Sequence, residues 1–278
     1  MSETSSKILP DYESPPVIEV VAGITFQPIK ALTGPYLGVL WEKFKPKYQR
    51  IKEVAALLPV IERFDEAQPE ETFPFGDAIG EIISIPRTWF ETNDGNGLIQ
   101  VQRDRFLHNW KKEKDTDKYP HYDYVIDNFR RCLETFEQFL EENKLGSIQL
   151  LQNELTYINH IPQGEGWTTF SDVKNVFPDF SWRSSEERFL PDPEVISWQT
   201  SFLLPDRSGR LHESIRLGKR RKDGCPVFLL ELTARGIGND KSRSAMWSWF
   251  DIAHEWIVRG FTDITGESLH KTVWRRKR

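Results

Sequence analysis

Cysteine is nearly missing from this chain: Cys132 and Cys225 are the two among 278 residues, far apart and in no metal-binding spacing. Isolated thiols exclude the disulfide framework of a small secreted domain and point to a reducing, cytoplasmic setting. Also missing is any apolar run near the roughly 20 residues that span a bilayer. The opening MSETSSKILPDYESPP has no basic segment followed by an apolar one, so no secretory signal and no membrane partner is expected. Gly34, Gly38 and Gly95 to Gly97 do not make G-x-x-x-x-G-K, and Gly236-Ile237-Gly238 lacks the third glycine of a dinucleotide fingerprint. No cofactor is therefore expected. A G-x-S-x-G elbow is absent too. Finally, 37 Lys and Arg against 42 Asp and Glu leave a net charge of -5, which confines any nucleic-acid contact to a local surface.

Aromatic and apolar residues are plentiful, with 18 Phe, 10 Trp and 38% hydrophobic residues, enough for a real core. Behind a polar leader, 1–14, which reads as flexible, the period-two alternation of Ile18, Val20, Ala22, Ile24 and Phe26 predicts a half-buried strand. Leu37, Leu40, Trp41 and Phe44 recur at helical spacing, as do Tyr48, Ile51, Val54, Ala55 and Leu58. These predict two short helices, or one bent at Pro46. Segments 87–92 and 98–110 read as strands joined by Asn93-Asp94-Gly95-Asn96-Gly97, a strong hairpin signal. In the second of them, Arg103 and Arg105 fall on one face and Gln100, Gln102 and His108 on the other. An amphipathic helix is predicted over 122–143 and a strand over 147–161.

Past Gly164 to Gly166 the chain is irregular and aromatic up to residue 193, then reads as strands over 194–204, 210–220 and 227–234. The longest helical signal, 242–265, carries Met246, Trp249, Phe250, Ala253, Trp256, Ile257, Phe261 and Ile264 on one broad face. A closing strand is expected over 269–274. The order strand, hairpin, long helix thus occurs in 15–163 and again in 164–278. The expected fold is α+β in two halves, each an antiparallel sheet with a hairpin and a long covering helix, a duplication at the level of pattern alone.

Three groups of residues invite chemistry. Asp251 and His254 lie one turn apart, with Glu255 beside them and Glu231 elsewhere, a set that would serve hydrolysis of phosphodiesters. A zinc-protease H-E-x-x-H fails at Val258, and the remaining histidines have no ligand spacing, so no metal is expected. A structural histidine at a helix-sheet seam is the favoured reading of His254. The densest cations are Lys219, Arg220, Arg221 and Lys222 with Arg275, Arg276, Lys277 and Arg278, candidates for nucleic acid or an acidic partner. Trp182, in the irregular stretch, is the candidate for stacking on a base or sugar.

The opening Pro15-Pro16-Val17-Ile18-Glu19-Val20, the run Asp251-Ile252-Ala253-His254 with Phe261 after it, and the terminal Trp274-Arg275 resemble an uncharacterised, sporadically distributed bacterial and archaeal family. That family begins PP-(I/V)-x-E-(V/A) and ends near a tryptophan followed by glycine, where this chain has Arg275. The resemblance spans nearly the whole chain and implies no settled activity. A patchy distribution implies horizontal transfer, and with it a defence or toxin-antitoxin-like setting. With no complete catalytic set in view, the chain reads as a non-enzymatic cytoplasmic interaction protein whose partner is a protein. Nucleic-acid binding through a basic edge and phosphodiester hydrolysis are the alternatives.

Overall fold

The computed structural model describes residues 8–64, 86–183 and 188–278. Val17–Phe26 forms β1, and its alternation sets the layout: Val20, Ala22, Ile24 and Phe26 point to one side and are sealed, while Glu19, Val21, Gly23 and Thr25 take the other. On one flank β1 pairs antiparallel with Arg105–Lys111 (β5), beyond which lie Gly97–Gln102 (β4), Arg87–Glu91 (β3) and the edge strand Arg50–Val54 (β2). On the other flank it pairs with Leu150–Pro162 (β6), followed by Pro226–Gly236 (β9), Gly209–Lys219 (β8) and the edge strand Ser197–Leu203 (β7).

The strand order is therefore β2-β3-β4-β5-β1-β6-β9-β8-β7 in one antiparallel sheet. The sequence reading gave each half its own sheet. The β1–β6 ladder instead joins them, so neither strand presents a row of unpaired backbone groups.

Helices cover one face. Gly34–Phe44 (α1) lies over β3, Tyr122–Glu142 (α2) over β1 and β5, and Arg243–Ile264 (α4) over β6, β8 and β9. Two short helices, Val173–Val176 (α3) and Glu267–Thr272 (α5), close the far end. Ser242 caps α4, its hydroxyl accepting from the Ala245 amide. Rings fix the packing: Phe136 of α2 stacks on Phe106 of β5 at 4.9 Å, and Phe129 of α2 meets Phe250 of α4 edge-on at 5.4 Å. Phe129, Leu133, Phe136, Phe250, Ala253 and Ile257 are all buried, as their places on the two stripes predict.

Three local expectations are corrected. Residues 50–54 form an edge strand rather than a helix, because Ile51 is exposed and the backbone pairs with β3; the apparent helical spacing has no buried face behind it. Residues 267–272 are helical rather than extended, and Leu269 and His270 are the two they bury. The run 98–110 is broken by a tight turn at Arg103-Asp104, whose carbonyls accept from the Ile29 and Phe26 amides.

The leader is packed where it is described, while residues 1–7 lie outside the described residues. The Glu13 and Ser14 amides donate to the Arg275 and Trp274 carbonyls, and Tyr12 sits against Phe261, His270 and Trp274. Arg275 has φ 52°, a conformation glycine adopts more readily than other residues.

Candidate functional site

Asp251 and His254 both meet Tyr122. Asp251 accepts a 2.9 Å hydrogen bond from the Tyr122 hydroxyl, and the His254 ring stacks flat on Tyr122 at 3.9 Å. Burial pushes the His254 pKa down to about 4, so the ring is neutral at pH 7. Glu255 pairs with Arg259 at 2.7 Å, and Glu231 lies across the sheet, bound to Arg216 at 3.2 Å. Asp251 and His254 thus share Tyr122, while Glu255 and Glu231 are engaged elsewhere. Among the described residues no cluster of histidine, cysteine or carboxylates could hold a metal ion, and no helix is long and apolar enough to cross a membrane.

Both basic clusters fall toward the end of the sheet where β1 starts and β6 finishes: one at the β8–β9 tip, the other beside residues 11–14. Four of their eight cations are already matched. Arg220 pairs with Asp223 at 2.6 Å, Lys222 with Asp115, Arg275 with Glu13 at 3.4 Å and Lys277 with Asp11 at 3.5 Å. That pairing lowers the local potential a phosphate backbone would meet. Trp182 is half-buried against the core, with the Arg188 guanidinium 4.3 Å over its ring, so a guanidinium already lies where a stacked base would.

The sequence reading missed the most distinctive surface, which is the face of the sheet that the helices leave open. Beside Val21, Leu98 and Leu107 it carries polar side chains tied to one another. Gln100 accepts from Arg87 and Trp89 and donates to Asn109, which donates to Glu19; Arg235 pairs with Glu154 at 2.5 Å.

Across this face, after β2, runs the extended segment 55–64. Gln102 of β4 holds Leu57 at both backbone groups, accepting from its amide at 2.8 Å and donating to its carbonyl at 2.9 Å. Gln152 of β6 accepts from the Glu62 amide at 2.8 Å and donates to the Val60 carbonyl at 2.7 Å. Farther over, on β8, Arg210 and His212 hold the Glu62 carboxylate at 2.8 and 2.6 Å. Burial works to raise the Glu62 pKa, but the hydrogen bonds from His212 and Arg210 outweigh it and hold the carboxyl below its usual range.

The strap is thus held by its backbone at Leu57, Val60 and Glu62 and by the Glu62 carboxylate. Its large apolar side chains stay partly exposed: Leu57, Leu58, Val60 and Ile61 are 36 to 54% exposed. Only the unusual density of glutamines on alternate positions of two strands, Gln100, Gln102 and Gln152, hints at it in the sequence. No family model, curated protein or solved structure matches the chain.

Proposed function

We propose that the protein is a non-enzymatic interaction module that engages a partner protein through the strap displayed on the open face of its sheet. One observation carries this reading. Residues 57–62 are fixed by two glutamine side chains and by their own buried Glu62 carboxylate, yet Leu57, Leu58, Val60 and Ile61 stay 36 to 54% exposed. Ordering a chain segment costs about 1–2 kcal/mol per residue, and a contiguous apolar row on a surface marks a contact site. The partner's matching surface is apolar, because the strap's backbone groups at Leu57, Val60 and Glu62 are already engaged and apolar side chains are what remain to be read. The resemblance to a sporadically distributed family supports placing this contact in a defence setting.

The order of strands supports a duplicated origin. Reading outward from the centre, β1-β5-β4-β3 on one side is matched by β6-β9-β8-β7 on the other. Each three-strand meander is followed by a long helix, α2 or α4.

The test is affinity capture from the source organism with the intact chain and with the double variant Leu58→Asp, Ile61→Asp. Both side chains are exposed, so the variant should keep its thermal midpoint. Loss of the co-purifying protein at unchanged stability is the expected result; retention of the same protein would overturn the reading, as would capture of none by the intact chain.

A further inference from the structure

A recess of about 270 Å3 lies on the helix-covered side, between the β3–β4 turn and the start of α2. His108 of β5 forms part of its wall and is 3% exposed. Its Nε2 is 3.1 Å from the Tyr48 hydroxyl, whose other neighbour is the Cys132 sulfur at 3.6 Å. Its Nδ1 has no partner. Burial, with Lys47 and Arg131 nearby, pushes the pKa down to about 3, so the imidazole is neutral. When the Tyr48 hydroxyl donates to Nε2, the ring's one proton sits on Nδ1. A buried donor left without an acceptor costs about 1–3 kcal/mol, a cost that a ligand atom would remove.

Charge around the recess is divided. Lys47 donates to the Asn128 side-chain oxygen at 2.9 Å, and Arg131 donates to that same oxygen at 3.2 Å. Among the described residues neither cation has a carboxylate partner, so one neutral amide oxygen serves two positive charges. Asp94 and Asp117 form the other wall. The loop occupies one oxygen of each: Oδ1 of Asp94 accepts from Thr92 and the Asn96 amide, while Oδ2 of Asp117 accepts from Asn96 and two backbone amides. A second oxygen on each carboxylate is left for other donors.

We propose that this recess binds a small oxyanion bearing hydroxyl or ammonium donors, with the anionic group on Lys47 and His108 Nδ1 and the donors toward Asp94 and Asp117. A phosphate monoester of a polyol and an amino acid share this chemistry. The site lies on the opposite side of the sheet from the strap, so its fate is independent of the partner-binding reading.

The test uses 15N-labelled protein titrated with glycerol 3-phosphate, with L-serine and with glycerol, following the ring nitrogens of His108 and the binding isotherm. Glycerol 3-phosphate or serine should move His108 Nδ1, and glycerol should not; which anion succeeds identifies the source. Lys47 is exposed, so Lys47→Gln keeps the fold, and it should weaken binding about tenfold, the loss expected for one charged hydrogen bond. The proposal fails if neither anion moves the His108 signals at about 10 mM, where a millimolar site would be filled. It fails equally if glycerol binds as well as the anions, or if Lys47→Gln leaves affinity unchanged.

Discussion

On its helix-covered side β1 contributes Val20, Ala22, Ile24 and Phe26 to a core of stacked rings, whereas on its open side Glu19 joins a polar network and the neighbouring strands present Gln102 and Gln152 to the strap. The covered side gains from the area removed from water, which is large and indifferent to exact geometry. The open side gains from directed hydrogen bonds, which are individually small but fix where a segment lies. A change on the first should therefore cost global stability. A change on the second should release one place and leave the rest standing.

The largest effect expected belongs to the covered side. Phe136 is fully buried and stacked on Phe106, so Phe136→Ala should cost about 3–5 kcal/mol through lost burial and the cavity left behind. Chemical denaturation measures it. A loss as small as that of an open-face substitution would erase the contrast between the faces.

Acid should separate the two faces by pH window. His254 has its folded pKa lowered from 6.5 to about 4, so the unfolded chain takes up a proton first as pH falls. Stability is then lost from about 6.5 downward, by on the order of 3 kcal/mol at pH 4. His108 acts in the same direction, down to about 3. Glu62, on the open face, has its pKa lowered from 4.5, so its contribution is present above 4.5 and disappears only as pH falls through the folded value. His254→Phe should flatten the upper window and Glu62→Gln the lower one. Urea unfolding at pH 7, 4.5 and 3 distinguishes them, the first interval reading His254 and the second Glu62. An unaltered stability difference between pH 7 and 4.5 in His254→Phe would mean that the ring is not held neutral by burial.

The same contrast explains what the sequence made legible. The two long helices and the strands β1, β3, β6, β8 and β9 were read nearly to their ends, because a buried stripe leaves its period in the residues. The turn at Arg103-Asp104 was not, since it contains no glycine, proline or asparagine, and it reverses parity. Read as one strand, 98–110 puts Gln100, Gln102 and His108 on a common face; with the turn in place, Gln102 faces Arg105 on the open side and His108 faces Ile99 under the helices. One missed turn thus hid both the strap clamp and the recess. The single sheet was hidden for a related reason, since pairing between β1 and β6 leaves no local mark. Asp251 and His254 were placed one turn apart correctly, but the Tyr122 hydroxyl that takes Asp251 comes from 129 residues away in the chain.

The smallest effect is the most local. Gln102 and Gln152 hold different amides of the strap, Leu57 and Glu62, at the same 2.8 Å. Gln102→Ala should therefore speed exchange of the Leu57 amide, and Gln152→Ala that of Glu62, each about fivefold, the factor that corresponds to one hydrogen bond of about 1 kcal/mol. Amides of α2 and α4 should keep their protection in both variants, because the strap contributes little to the core. Hydrogen exchange followed residue by residue tests each clamp separately. Loosening of the helices along with the strap would mean that the two faces fold as one unit, and unchanged exchange at Leu57 and Glu62 would mean that the glutamines do not hold the strap at all.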